Sequence, residues 1–111
     1  MRISARTLDG LYGRPATDVP ARLEKASNGD WEFVASAITD DDGCISGWHE
    51  KLACGLYRIV FDSDRYFARL GLTAGYSEII ASFRLRDEAA AYQIQISLAP
   101  CSYSTYFESH H

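Results

Sequence analysis

Cysteine, net positive charge and long apolar runs are all scarce in this chain, and each shortage closes off a class of function. The 111 residues include three cysteines, Cys44, Cys54 and Cys101. Their number is odd and none is spaced as CxxC, so neither a disulfide framework nor a zinc knuckle is indicated, and reduced thiols are the simplest reading. Lysine and arginine number 11 against 15 acidic residues, a formal net charge of −4, and the basic residues are scattered. A phosphate backbone finds no basic stripe to follow, so nucleic acid is not an expected partner. No stretch approaches the roughly 20 apolar residues of a membrane span, and the opening Met1-Arg2-Ile3-Ser4-Ala5-Arg6 alternates where a signal peptide would run apolar. No membrane partner and a cytoplasmic location are therefore expected.

What is present is an ordinary globular balance, 47% apolar and 23% charged residues. A chain of this size buries one core without staples, and a single domain is expected over residues 1–109. His110 and His111 read as the stub of a purification tag. No metal site and no cofactor are expected.

Periodicity points to strands. Ile3, Ala5 and Thr7 alternate with Ser4, Arg6 and Leu8, so Arg6 points away from the core. Val19 to Leu23 reads as a second strand closing at Ser27-Asn28-Gly29-Asp30, and Trp31 to Ile38 as a third with Trp31, Phe33 and Ala35 on one side. A turn at 39–43, a short strand and a loop follow, and His49 within them reads as a surface residue. Gly55 to Phe61 alternates cleanly. Asp62-Ser63-Asp64 suits the start of a short helix through Leu70, ended by Gly71. Ser77 to Leu85, Ala91 to Leu98 and Ser102 to Phe107 complete about eight strands, which argues for an all-β, eight-stranded antiparallel sandwich with one short helix.

One strand is more informative than the rest. Tyr92, Ile94, Ile96 and Leu98 point inward and Gln93, Gln95 and Ser97 outward, while Ser102, Ser104 and Tyr106 share a face of the last strand. Two strands thus offer a strip of uncharged amides and hydroxyls, where a merely solvated face more often carries Lys and Glu.

These residues resemble the transthyretin and 5-hydroxyisourate hydrolase family almost end to end. The resemblance runs through Leu8-Asp9, Gly13-Arg14-Pro15-Ala16, the Gly55 to Asp62 segment and Tyr66-Phe67-Ala68. It continues in Tyr92-Gln93-Ile94-Gln95 and Leu98-Ala99-Pro100-Cys101-Ser102-Tyr103-Ser104-Thr105-Tyr106. It implies a Greek-key sandwich of the transthyretin (prealbumin) kind that pairs edge to edge into dimers and face to face into a homotetramer, a dimer of dimers with ligand sites in the channel between them. The outer strip would line that channel, with Leu8, Gln95, Ser97, Ser104 and Ser109 as ligand-binding residues.

The hydrolase members of this family are similar in using two histidines, an arginine and a C-terminal Tyr-Arg-Gly-Ser to open a ring with water. Here Arg6, Cys44 and Gln93 stand at the first histidine, the arginine and the second histidine, and only Tyr106 and Ser109 of the tail survive. Gln93 cannot act as a base and Arg6 does not give up its proton, so the usual mechanism is lost. Three readings follow: a scaffold recruited to a different small polar or anionic molecule, with Arg6, Cys44, Gln93 and Tyr106 as the residues to carry any new chemistry; a hydroxyisourate hydrolase of purine breakdown with a compensating group; and a binding protein without turnover. In the first, Cys44 is a nucleophile or acid/base whose pKa Arg6 lowers.

Overall fold

The computed structural model describes residues 2–46, 48, 52–87 and 90–110; His49 and His111, considered above, lie outside them. Among these residues nine strands and one helix form two layers. The strands are β1 (Arg2–Asp9), β2 (Arg14–Pro15), β3 (Pro20–Ser27), β4 (Asp30–Ile38), β5 (Cys44–Ile45), β6 (Gly55–Phe61), β7 (Ile79–Leu85), β8 (Ala91–Ala99) and β9 (Ser102–His110), and the helix α1 (Ser63–Arg69) lies between β6 and β7. One sheet runs β2-β1-β8-β9, with β5 also paired to β1, and the other runs β4-β3-β6-β7. The all-β sandwich with one short helix is thus confirmed. Among the described pairings β1 and β8 run parallel and the rest antiparallel.

Alternation decides the layering. Ile3, Ala5 and Thr7 of β1 and Tyr92, Ile94, Ile96 and Leu98 of β8 are buried between the sheets. They meet Leu23, Ile59, Phe61 and Ile79 from the other layer in one core. A two-layer sandwich buries one face of each sheet and leaves the other to water or to a partner. No helix among the described residues is long and apolar enough to cross a membrane.

The strand expected over 19–23 runs on to Ser27, and the neighbouring β4 does not keep a single alternation. Leu23 pairs with Ala35 but Glu24 pairs with Phe33, so Val34 is the extra residue of a β-bulge. A bulge shifts the side-chain phase by one. Trp31 and Phe33 therefore leave the face that Ala35 occupies, contrary to the simple period-two reading. Phe33 is exposed, Val34 packs against the core, and Trp31 lies 4.4 Å beneath the guanidinium of Arg58, itself held by Glu24 at 2.7 Å.

The helix forms where the chain leaves β6. Asp62 accepts a hydrogen bond from the Arg65 N–H at 3.0 Å and caps the first turn, satisfying a donor that the helix itself leaves open. Gly71, with φ of 75°, takes the chain out of the last turn. On the buried side Tyr66 donates its hydroxyl to Asp9 at 2.6 Å. Asp9, itself buried at the end of β1, also accepts the Leu11 and Tyr12 N–H groups, both at 2.9 Å. One carboxylate thus turns the chain after β1 and ties the helix to the opposite sheet.

A second buried polar cluster fixes β5 against β1. The Thr7 hydroxyl lies within donating distance of the carbonyls of Ala16 at 2.8 Å and Gly43 at 3.0 Å, and the Thr7 N–H donates to Gly43 at 2.7 Å. Thr39 donates its hydroxyl to the same Ala16 carbonyl at 2.7 Å and accepts the Val19 N–H at 2.9 Å. Gly43 has φ of 76°, and a Cβ there would overlap the Thr7 carbonyl oxygen.

Two stability predictions follow from these clusters. Gly43→Ala is expected to cost about 2 kcal/mol or more in urea unfolding, since it combines a left-handed backbone with a steric overlap. Gly13→Ala, at φ of 67° with open space around the added methyl, should cost only about 1 kcal/mol. Equal losses would remove the steric role of Gly43. For Tyr66, burial together with Asp9 raises the phenol to about 12, against a smaller opposing pull from Arg14. A phenol held above its unfolded pKa of about 10 contributes stability that is complete below pH 10 and lost as pH rises toward 12. Tyr66→Phe should therefore flatten the alkaline limb of the stability profile, and at neutral pH cost about 1–3 kcal/mol for the orphaned carboxylate oxygen.

Candidate functional site

The outward face of the β2-β1-β8-β9 sheet carries most of the residues that the sequence singled out. Because β1 and β8 are parallel and in register, Arg6 stands beside Gln95, Ser4 beside Gln93 and Leu8 beside Ser97. The antiparallel β9 then sets Tyr106 beside Gln95, Ser104 beside Ser97 and Glu108 beside Gln93. On the far side of β1, Cys44 pairs with Arg6. The result is one unbroken cross-strand row, Cys44–Arg6–Gln95–Tyr106, flanked by the rows Ser4–Gln93–Glu108 and Leu8–Ser97–Ser104. Side chains adjacent across a sheet lie about 4.5–5.5 Å apart at Cβ, close enough for one small molecule to touch several.

Arg6 is exposed and takes part in no ion pair among the described residues. Gln93, Gln95 and Ser97 are half-buried and Ser104 is exposed. Tyr106 is 60% exposed and donates to Glu108 at 3.2 Å; that hydrogen bond, with the carboxylate's charge, holds the phenol above its ordinary pKa.

Cys44 is presented by a tight turn. Asp40 accepts the N–H groups of Asp42 and Cys44, both at 2.9 Å, and the Asp40 N–H donates to the Cys44 carbonyl at 3.0 Å. The thiol is pushed above its usual pKa by burial and then by the Asp40 carboxylate, with Asp42 adding to both, and the pull of Arg6 in the other direction does not offset them. The expected lowering by Arg6 is present but outweighed, so the side chain is a neutral thiol at physiological pH and is held by a 3.6 Å contact to the Asp42 carbonyl.

One expected member of the strip faces the other way. Ser109 pairs with Tyr92, whose side chain points into the sandwich, so Ser109 lies on the inner side of β9 beside Phe83 and Phe107. Parity separates it from the outer strip: it is an odd number of residues from Ser104 and Tyr106. The same parity brings in Glu108, which the sequence reading passed over because it stood where the family's tail has glycine. Its signal was available in the alternation Ser104, Tyr106, Glu108.

No group of three or more His, Cys, Asp or Glu side chains among the described residues is placed to hold a metal ion.

Comparison with known proteins gives a consistent result. The model of the HIUase/Transthyretin family matches residues 3–107. A 5-hydroxyisourate hydrolase of Salmonella typhimurium is 33% identical over 106 residues, 94% of this chain and 78% of that protein. A Caenorhabditis elegans protein called a probable 5-hydroxyisourate hydrolase is 32% identical over 107 residues, with the same coverage. Among solved structures, transthyretin from Sparus aurata superposes with a TM-score of 0.93 at 25% identity, covering 99% of this chain and 98% of that one. Sea bream transthyretin in complex with thyroxine gives 0.92 at 25% identity, covering 99% and 97%. With nearly its whole length matched by the family model, and with a sandwich that superposes on transthyretin over 99% of the chain, the chain belongs to the HIUase/transthyretin family.

Proposed function

We propose that the outer face of the β2-β1-β8-β9 sheet binds a small polar molecule carrying negative charge, within a channel formed when two dimers of this chain pack face to face. The observation that carries this reading is the row Cys44–Arg6–Gln95–Tyr106, in register across four strands with an exposed guanidinium at its centre. Arginine supplies a planar fork of donors that is charged at every physiological pH. The amides of Gln93 and Gln95 and the hydroxyls of Ser97 and Ser104 add neutral donors and acceptors, and Leu8 adds an apolar edge. Such a lining favours a carbonyl-rich or anionic ligand over an apolar one. The ligand-bound transthyretin to which the fold is similar supports a ligand role for the scaffold.

Turnover is a second reading, favoured by one observation. Hydrolysis asks for a base to take a proton from water and a cation to hold the charge that develops on the carbonyl oxygen. Gln93 supplies no base, but the Glu108 carboxylate shares its row and Arg6 supplies the cation. In this reading Glu108 takes the water proton as the water oxygen bonds to the ring carbonyl carbon and returns it to the ring nitrogen as the C–N bond breaks, Tyr106 orients that carboxylate through its hydrogen bond, and the substrate is a cyclic amide or imide such as the one that the Salmonella relative is named for. Cys44 is no nucleophile in either reading, because a neutral thiol attacks weakly.

Binding is tested by isothermal titration with urate, a stable heterocyclic anion. Saturable binding that falls about tenfold or more in Arg6→Gln is expected, and equal affinity in the variant would remove the site from this face. Turnover is tested by the absorbance decay of freshly generated hydroxyisourate. Acceleration that is lost in Glu108→Gln would establish the second reading, while decay at the uncatalysed rate leaves binding as the function. For the thiols, iodoacetamide at pH 7.5 should alkylate Cys44 more slowly than the exposed Cys54 and Cys101, as read by peptide mass spectrometry; Cys44 reacting first would restore it as a nucleophile.

A further inference from the structure

A concave site lies at the other end of the first sheet from β9, on the inner side of β2; the order β2-β1-β8-β9 puts those two strands at opposite edges. There a cavity of about 400 Å³ opens between β2, the turn at 39–43 and the end of α1, lined by Arg14, Thr17, Asp41, Tyr66, Arg69 and Leu70. That volume is within the roughly 300–1,000 Å³ of small-molecule sites. Arg14 pairs with Asp9 and Pro15 with Leu8, so by alternation Arg14 shares the inner side with the buried Asp9 and not the outer side with Leu8. Two residues of β2 make too short an edge to extend a sheet with another copy, and dimers paired along β7 and β9, or packed on the outer face, would leave this end uncovered.

Cross-links hold the walls together. Tyr66 donates to Asp9 at 2.6 Å and ties α1 to β1. The Asp18 N–H donates to the Thr39 carbonyl at 3.0 Å and the Thr39 N–H to the Val19 carbonyl at 3.1 Å, which ties the connection before β3 to the turn. Arg69 donates to the Thr17 carbonyl at 3.3 Å and ties the helix end to the same connection. The turn is closed by the Asp40 carboxylate, which accepts the Asp42 and Cys44 N–H groups. A site organised before binding loses less entropy when it is filled.

The charges around the cavity are of both signs and come from different walls. Arg14 is exposed, lies 5.1 Å above the Tyr12 ring and belongs to no ion pair among the described residues. Arg69 meets Asp18 only at 3.7 Å, and the two side chains are 45% and 67% exposed, a contact worth little in water. Each guanidinium carries five N–H donors, so both keep donors for a ligand. Asp41, on the turn, is exposed and enters no ion pair among the described residues. A simple anion would be repelled by Asp41 and a simple cation by the two arginines, whereas a molecule carrying both charges meets a partner for each. Leu70 and Pro15 add apolar surface.

We infer that this cavity binds a small apolar α-amino acid, its carboxylate taken by Arg14 and Arg69, its ammonium by Asp41 and its side chain by Leu70. The site shares no residue with the outer row, and the inference stands or falls independently of the proposed function.

The test is an isothermal titration of the full chain with L-leucine. The controls are 4-methylpentanoate, which is leucine without its ammonium, and 3-methylbutylamine, which is leucine without its carboxylate. Saturable binding of leucine is expected, about tenfold or more tighter than either control. Arg14→Gln should weaken it about tenfold, Asp41→Asn should lower it to the level of 4-methylpentanoate, and Arg6→Gln should leave it unchanged. These substitutions alter only exposed side chains, so the fold is kept. Equal affinity for leucine and 4-methylpentanoate, binding indifferent to Asp41→Asn or to Arg14→Gln, loss in Arg6→Gln instead, or absence of saturation would each overturn the inference.

Discussion

The hydroxyl of Thr7 is the point on which the rest of the structure depends. It is buried in the layer between the sheets and faces the carbonyls of Ala16 and Gly43, which belong to segments far apart in the chain. A buried carbonyl without a donor costs about 1–3 kcal/mol, and Thr7 answers that demand from both its hydroxyl and its N–H, the latter donating to the Gly43 carbonyl at 2.7 Å. Thr39 completes the arrangement by donating to the Ala16 carbonyl from the other side. The consequence for the site is direct. Thr7 inside and Arg6 outside are successive residues of one strand, and the carbonyl of Gly43 that Thr7 grips immediately precedes Cys44. Holding the interior therefore sets the exterior row, and Arg6 meets Cys44 because Thr7 meets Gly43.

The outer face is electrostatically uneven, and that limits what it can do. Arg6 is a permanent cation between Cys44 and Gln95, and the Tyr106–Glu108 pair places a carboxylate and a phenol on the β9 edge. The glutamines between them neither gain nor lose protons. A ligand there is met by fixed charge and by amides that donate and accept, which orients it without moving a proton. Among the described residues of the row, the Cys44 thiol is held neutral and the phenol of Tyr106 is held protonated.

Much of this was legible in the sequence because a strand's side chains alternate with a period of two. Ile3, Ala5 and Thr7 against Ser4, Arg6 and Leu8, and Tyr92, Ile94 and Ile96 against Gln93, Gln95 and Ser97, separate inside from outside without any knowledge of partners. Asp62 and Gly71 likewise mark the helix ends by local chemistry alone. What alternation does not contain is a change of phase or a pairing. The bulge at Val34 turned Trp31 and Phe33 outward, and no local feature announces where the opposing strand will slip. The parallel pairing of β1 with β8, which aligns Arg6 with Gln95, arises from packing across 80 and more residues of chain. The direction of the Cys44 shift was illegible for a related reason: it depends on burial and on Asp40 curling back, and from sequence the neighbouring arginine was the more visible charge.

Ser109 and Glu108 show how the same alternation gives the two faces of one strand different surroundings. In β9, Ser104, Tyr106 and Glu108 look outward to the row that holds Arg6, while Phe107 and Ser109 look inward beside Phe83. Adjacent residues of this strand serve different surroundings, one wet and ionic, the other aromatic. The strand is also an edge, unpaired on its outer side among the described residues, so its backbone ladder runs through β8 alone. The ladder sets Tyr106 beside Gln95 and Phe107 beside Ile94, and on the inner face Phe107 also packs on Phe83 of β7. A disturbance of the β8–β9 pairing would reach both faces together, whereas a change of a single side chain, which leaves the ladder intact, would reach only its own.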